Sequence, residues 1–532
     1  MNTTKTLRSL TLGLCLALGL STTALAAPPD AHPAAPHVEA PKPAAPKAPK
    51  VVANHGEAAK EIGHGVMVAT GSAMPANMMP AMREHAQGRD GRTNVFYMPT
   101  FASEENFKEG VTDKWHPNLL FVSKPNREAA THAAAAGGAT PRATLHRASL
   151  FELAQKLEKD QLPIDTVVVR VSPPDAEGNV SLGTSSDLTM LAVQSVLRRG
   201  GKIIAEVNPN VPHARGNRIP YASLTHVVHG NEMLAEAIQL VPQATEQSIA
   251  GNIVKLIPVN QKHTVQVGIG DSLAGVGDAL KDHPIDIWSE MAPPGLLKLV
   301  NAPNSKVGQA VFSFMHADNA NYQAAGQNPK VTIQPSLVVN DPAIIAQKPN
   351  MVAINTGLEV DLFGNVNAER DGNKVISAPG GQPDFMKGAS MNQTGKAIMA
   401  LRSTAKGNVS TIVIGLKGPT TTPKDNVDHV VTEWGATAKL RGMNDGQRAY
   451  QMITIAHPLF RGELAETAKK RGLITEGQAY ALKASVFHAV RTAPIETREA
   501  LANAALEKGL LTNDEHTEIV VEALVPKLPA KK

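Results

Sequence analysis

The sequence predicts an α/β protein with mostly parallel sheets. Three observations carry that expectation. Short apolar runs rich in β-branched residues, such as Thr166–Val171 (TVVVRV) and Lys202–Val207 (KIIAEV), have Gly, Pro or Asn nearby and read as strands buried on both faces. Helical patterns at 149–158 and 187–199 lie between such runs, and strands alternating with helices build α/β layers. Aromatic residues make up only 4% of the chain while Ala, Val, Leu and Gly are plentiful, a mix suited to close helix–sheet packing.

Taken in order, residues 1–26 read as a secretory signal. Lys5 and Arg8 give a positive start, residues 10–20 an apolar run, and Ala24-Leu25-Ala26 a small-x-small cleavage pattern. The run is too short for a comfortable membrane span, so no span is expected in the mature chain. The expectation is a periplasmic or secreted protein. A retained N-terminal helix and a cytoplasmic location are the alternative. Residues 27–60 follow as a Pro/Ala/Lys-rich linker, whose eight prolines between Pro28 and Pro49 favour an extended, solvated chain.

The globular pattern starts near residue 61. Further strands are expected at 264–268, 285–291 and 411–414. Asp187 is placed to cap the helix at 187–199. A helical pattern at 231–240 closes a first unit, 61–255, and the strand at 264 opens a second, 256–461. Residues 462–532 form a helical C-terminal extension, with helices at 463–471, 476–492 and 496–508 separated by Gly472, Pro494 and Gly509, and a frayed tail at 526–532.

Composition excludes several functions. The 532 residues allow two or three domains, and 42% hydrophobic residues supply a core. Lys plus Arg number 52 against 48 Asp plus Glu, a net charge of +4, so nothing points to nucleic acid. Zinc-ligand spacing and a Walker loop are absent, and no metal site is expected. Cys15 is the only cysteine and lies in the leader, which leaves the mature chain without disulfides or a thiol nucleophile.

Chemistry concentrates at strand tips, where open α/β sheets hold ligands. Gly268-Ile269-Gly270 follows the strand at 264, and glycine there lets backbone N–H groups approach a ligand. Glu290 comes at the end of the strand 285–291, ahead of Pro293-Pro294. A carboxylate at a buried strand tip is costly unless something pairs or uses it. Other notable strings are VSPPDAEGNVSLG (171–183), EVNPNVP (206–212), LEVDLFGNVNAE (358–369), GGQPDF (380–385), VVTEWGA (430–436) and IAHPLFRGEL (455–464). Glu359 and Asp361 read as structural acids pairing with Arg or Lys. Glu433, His457 and Arg461 read as anchors of helix packing.

Together, and in this order over residues 61–470, these strings resemble the acetyl-CoA hydrolase/transferase family, which includes 4-hydroxybutyrate and succinyl-CoA:acetate CoA-transferases. The resemblance implies two tandem open α/β/α CoA-transferase-like domains with the active site between them, and suggests a homodimer. It makes Glu290 of Trp288-Ser289-Glu290-Met291 the catalytic glutamate. It gives Asn340 of Asn340-Asp341-Pro342 a place near the thioester carbonyl, with an Asx-turn preceding Pro342 as the structural alternative. It places Gly380 and Gly381, with Gly268, Ile269 and Gly270, against coenzyme A. The sequence departs from the family pattern at Trp288-Ser289, at Ala292-Pro293-Pro294, at Ala343, at Gln382-Pro383, at Lys424 and across 137–147.

The implied reaction moves CoA between a short-chain acyl-CoA and a small carboxylate through a glutamyl-CoA thioester on Glu290, with no permanently bound cofactor and with CoA as cosubstrate. A carboxylate attacks a thioester competently when partly desolvated and held in line. The alternatives are acetyl-CoA hydrolysis on the same scaffold, where water reaches the intermediate, and an exported, catalytically idle binding protein.

Overall fold

The computed structural model describes residues 48–98, 113–140 and 142–524. The leader, residues 27–47 and the tail 526–532 lie outside these. The linker expected over 27–60 gives way to regular structure earlier than its end. Lys50–Val51 is already an edge strand paired with His226–His229. The helix His55–Ala59 follows, capped by the Asn54 side chain and burying Ala58 and Ala59. The prolines that keep a chain extended stop at Pro49, and the two-residue strand after them needs only one partner.

Seven strands of each of two eight-stranded sheets share one topology, and the eighth is an edge strand that differs between them. In the first, Gly65–Val68, Thr93–Tyr97, Trp115–Leu119 and Thr144–Leu145 step to one edge. The chain then returns to the other side of Gly65–Val68 and steps outward through Thr166–Val171, Lys202–Val207 and His226–His229. All these pairings are parallel. In the second, His263–Val267, Ile285–Ala292, Ala310–Met315 and Val331–Ile333 step to one edge, and Met351–Asn355, Lys396–Ala400 and His429–Thr432 to the other. Only the closing strand Gly435–Ala436 is antiparallel. Each sheet therefore has a point where its connections diverge, and in the second it lies between His263–Val267 and Met351–Asn355. Such a divergence opens a crevice at the carboxyl ends of the strands.

Helices cover these sheets for local reasons. Leu150–Glu158 starts at a capping box of Ser149 and Glu152 and buries Leu150, Leu153, Ala154 and Leu157. Burying each leucine stabilises the fold by about 1.5–3 kcal/mol. Thr189–Arg198 is preceded by Asp187, whose Oδ1 accepts from the Thr189 amide at 2.9 Å. The seam between the sheets includes backbone bonds: Leu150 N to Gly380 O (3.0 Å), Asp187 N to Ser313 O (3.1 Å) and Met315 N to Thr184 O (2.8 Å).

Two expectations fail here. The segment 231–240 is not helical, although Leu234 and Ala237 are buried three apart. Its polar groups are taken by the loop around Asn319 instead of by an i→i−4 ladder. The Asn319 side chain accepts from Leu234 N and donates to Leu234 O, Ala237 N donates to Ala317 O, and Glu236 accepts from Asn319 N. Once those backbone groups have partners, a helix gains nothing. The run 411–414 contributes only the strand Ile412–Val413, which pairs with Glu359–Asp361 in a three-stranded sheet outside the main one.

The C-terminal helices are Pro458–Lys470, Glu476–Arg491, Ile495–Glu507 and Asn513–Leu524. The first of them crosses position 461. Leu464, Ala465, Ala468, Ala479 and Leu482 share the core of the second sheet, whereas Val486, Val490, Ala502, Ala505 and Ile519 form a small core of their own.

Candidate active site

The strand Ile285–Ala292 alternates, turning Ile285, Ile287, Ser289 and Met291 inward and Asp286, Trp288 and Glu290 to the other face. Period-two alternation therefore puts Trp288 and Glu290 on one side. Trp288 Nε1 donates to Val339 O at 2.9 Å. Val339 ends the short helix Ser336–Val339, and Asn340 is its C-cap.

Asn340 thereby lies over Glu290. Its Nδ2 donates to Glu290 Oε2 at 2.6 Å and lies 3.4 Å from Asp384 Oδ2. With carboxyl oxygens on both sides, the amide must present its donor there. Its Oδ1 is buried with no hydrogen-bond partner among the described residues. Gly381, the N-cap of Gln382–Met391, is the third wall. A Cβ at Gly381 would lie 1.5 Å from Glu290 Oε2 and 2.5 Å from Asn340 Nδ2. Only glycine fits. Gly380 has φ +58° and faces the Phe121 ring.

Gly268, Ile269 and Gly270 lie beside Glu290 at the divergence point of the second sheet. A Cβ on Gly268 would meet Asn355 Oδ1 at 2.5 Å, so the two strand tips approach closely only because the side chain is missing. Two cavities meet at Glu290. The larger, ≈400 Å³, runs past Gly380, Gly381, Asn355 and Thr356 to Lys124 and Arg127. The smaller, ≈290 Å³, is lined by residues such as Leu150, Leu296 and Phe314. Gly268, Ile269 and Gly270 border both. The structure thus brings together all seven residues singled out from the sequence.

The electrostatics are set by a group of acids. Burial pushes the Glu290 carboxyl up to about 8, with the charges of Asp384 and Asp187 acting in the same direction and the Asn340 bond opposing them. Burial likewise raises Asp384 to about 7, against hydrogen bonds from Ser149, the Phe151 amide and Asn340. Asp187 is fully buried and raised by burial, while Thr70, Thr189 and Ser185 donate to it. Among the described residues no Lys or Arg forms an ion pair with any of the three. Glu290 itself is half-buried and lines both cavities.

Asp384 was not singled out from the sequence. An acid in the first turn of a helix reads as a partner for the helix dipole, and only the fold shows it reaching Asn340. Of the side chains read as structural, Glu433 accepts from Ser403 N and Oγ between strand ends instead of anchoring a helix, and the others make the following contacts. Asp361 accepts from the amides of Phe363 and Asn365, both at 2.9 Å, and Glu359 accepts from Asn367 at 2.9 Å. Their partners are turn amides and an asparagine instead of the expected Arg or Lys. Arg461 donates to Ala456 O at 2.9 Å, and His457 caps its helix between the rings of Trp434 and Phe460. Among the described residues no cluster of three or more His, Asp or Glu side chains is placed to hold a metal ion, and no helix is long and apolar enough to cross a membrane.

Residues 46–239 match the acetyl-CoA hydrolase/transferase N-terminal domain, and residues 318–468 match the C-terminal domain of the same name. The 4-hydroxybutyrate coenzyme A transferase of Clostridium kluyveri is 34% identical over 409 residues, which cover 75% of this chain and 92% of that protein. The crystal structure of RipA from Yersinia pestis superposes with a TM-score of 0.72 at 29% identity, covering 80% of this chain and 98% of RipA. A 4-hydroxybutyrate CoA-transferase from Porphyromonas gingivalis superposes with a TM-score of 0.62, also at 29% identity, over 79% of this chain and 98% of its own.

Proposed function

The chain belongs to the acetyl-CoA hydrolase/transferase family, and from that premise we propose that it transfers CoA between a short-chain acyl-CoA and a carboxylate through a glutamyl-CoA thioester on Glu290. The observation that carries this reading is the contact of Glu290 with the Asn340 amide at 2.6 Å, over a position that only glycine can occupy, where two cavities meet.

The steps follow from that arrangement. Ionised Glu290 attacks the thioester carbonyl, the C–S bond breaks, and CoA thiolate leaves an acyl-glutamyl anhydride. The thiolate then attacks the glutamyl carbonyl and releases the acyl group as a carboxylate. An acceptor carboxylate attacks the resulting glutamyl-CoA thioester, thiolate leaves once more, and its attack on the new acyl carbonyl regenerates Glu290. Each tetrahedral intermediate carries an oxyanion. The Asn340 Nδ2 donor and the N–H groups at the start of Gln382–Met391 are the available partners for it. Such a donor is worth about 10²–10³ in rate. CoA acts as cosubstrate throughout. Lys124 and Arg127 at the mouth of the larger cavity suit its phosphates.

The test is mass spectrometry of protein incubated with acetyl-CoA. A CoA adduct on the peptide holding Glu290, lost in Glu290→Ala, is expected. Full transfer activity in Glu290→Ala would sink the mechanism.

Hydrolysis on the same scaffold is the second reading. It is favoured by the half-buried state of Glu290, whose carboxyl opens on two cavities with room for water. CoA release from acetyl-CoA at a rate indifferent to added carboxylate would establish it. We further propose that residues 1–26 direct export, against a cytoplasmic location. Fractionation and N-terminal sequencing of the native protein decide this, and an intact cytosolic chain overturns it. An exported but catalytically idle binder is excluded if the Glu290 adduct forms, and sizing of the purified chain tests the homodimer.

A further inference from the structure

The two cavities that meet at Glu290 differ in chemistry. The larger carries cations at its mouth, Lys124 and Arg127, and polar groups along its wall, Gln266, Asn355 and Thr356. The smaller is walled by Met98, Leu150, Leu273, Leu296 and Phe314. Among its described lining residues there is no Lys or Arg. Its charged groups are Glu290 and Asp271, the latter exposed at the rim. The ring of His316 is driven toward its neutral form by burial.

We propose that the smaller cavity is the acyl pocket and that it selects apolar monocarboxylates of about four to six carbons, while rejecting dicarboxylates. This rests on the reading of Glu290 as the acyl-accepting carboxylate. A thioester centred on Glu290 must send its CoA arm one way and its acyl group the other, and the cationic cavity suits the polyanionic arm. At about 30 Å³ per heavy atom, the share of a water in the liquid, an acid of six to eight heavy atoms occupies roughly 180–240 Å³. That fills most of the ≈290 Å³ available. Acetate leaves most of it empty. A second carboxylate at the far end would face Leu, Met and Phe side chains and the acid at the rim. An unpaired charge in such surroundings is strongly disfavoured.

The experiment uses the purified full chain with propionyl-CoA as donor and acetate, butyrate, hexanoate or succinate as acceptor, each new acyl-CoA being read by mass spectrometry. The same acids are also offered as CoA thioesters to propionate, with formation of propionyl-CoA as the readout. We expect kcat/KM to rise about fourfold per methylene from acetate to hexanoate. Succinate, as long as butyrate, should fall at least about 100-fold below it. A flat series, or succinate equal to butyrate, overturns the pocket assignment while leaving the Glu290 mechanism intact. Failure of every acid and thioester to react, with no adduct on Glu290, overturns both.

Discussion

Trp288 and Val339 are joined by a 2.9 Å hydrogen bond from the indole Nε1 to the backbone carbonyl, and this bond holds Asn340 over Glu290. Lys348 stacks on the same indole, its Nζ 3.3 Å from the ring centroid. What reads in the sequence as a departure from the family pattern is therefore a strut for the next residue along. Trp288→Phe keeps the apolar face and loses the donor. It should lower kcat about 10–100-fold with little change in the KM for acyl-CoA, since a displacement on the order of 1 Å costs about that much. It should also destabilise the fold by about 1–3 kcal/mol through the unpaired carbonyl. Steady-state kinetics and urea unfolding measure the two effects.

Gly381 is excluded from bearing a side chain by the Glu290 carboxylate, since a Cβ would lie 1.5 Å from Glu290 Oε2. Its φ of −90° is open to any residue, so the constraint is space and not backbone conformation. Gly381→Ala should reduce transfer by about 10³ or more, because Glu290 must leave Asn340 to make room. Gly251→Ala is the matching control. It lies in Ala244–Val254 with nothing within 4 Å of the added Cβ, and it should stabilise the helix by about 0.5–1 kcal/mol with activity unchanged.

The parts of this molecule that local sequence encodes were legible, and those that depend on long-range pairing were not. Thr166–Val171 and Lys202–Val207 stand out because a strand buried on both faces needs a continuous β-branched run. The site residues Glu290, Asn340 and Gly381 are ordinary one by one and became candidates only as an ordered series. Asp384 stayed hidden because its partners Ser149, Phe151 and Asn340 belong to other elements. The segment 231–240 misled because apolar spacing reports burial and not who takes the backbone hydrogen bonds. The shared topology of the two sheets depends on strand order, which no local pattern records.

Lys124 is exposed at the mouth of the larger cavity, while Arg127 is half-buried and donates to Ile376 O at 3.0 Å. Screening separates their roles. Lys124→Ala should raise the KM for acyl-CoA about 3–10-fold at low ionic strength with kcat unchanged, and the effect should shrink as salt approaches 1 M. Arg127→Ala also removes a packing bond and should lower thermal stability. KM measured across a salt series checks the first, and thermal unfolding the second.

The acids around Glu290 make the reaction and the fold respond to pH in opposite directions. In the proposed mechanism attack requires ionised Glu290, whose carboxyl is raised to about 8. In the empty enzyme kcat/KM should therefore climb from pH 6 to 8 and level off above. Because Glu290 and Asp384 bracket one amide, the limb belongs to the pair and not to either residue alone. Asp384→Asn removes a charge that pushes Glu290 up, and so should move the limb to lower pH. Stability runs the other way. Both carboxyls bind protons more tightly in the folded state than in the unfolded chain, so their contribution is full below the unfolded values near 4 and is lost as pH rises through about 7 and 8. Urea unfolding between pH 5 and 9 should show stability falling up to about pH 8 and levelling off above it, and Glu290→Gln should flatten the fall. A limb that Asp384→Asn leaves in place would mean that the neighbouring charge does not reach Glu290.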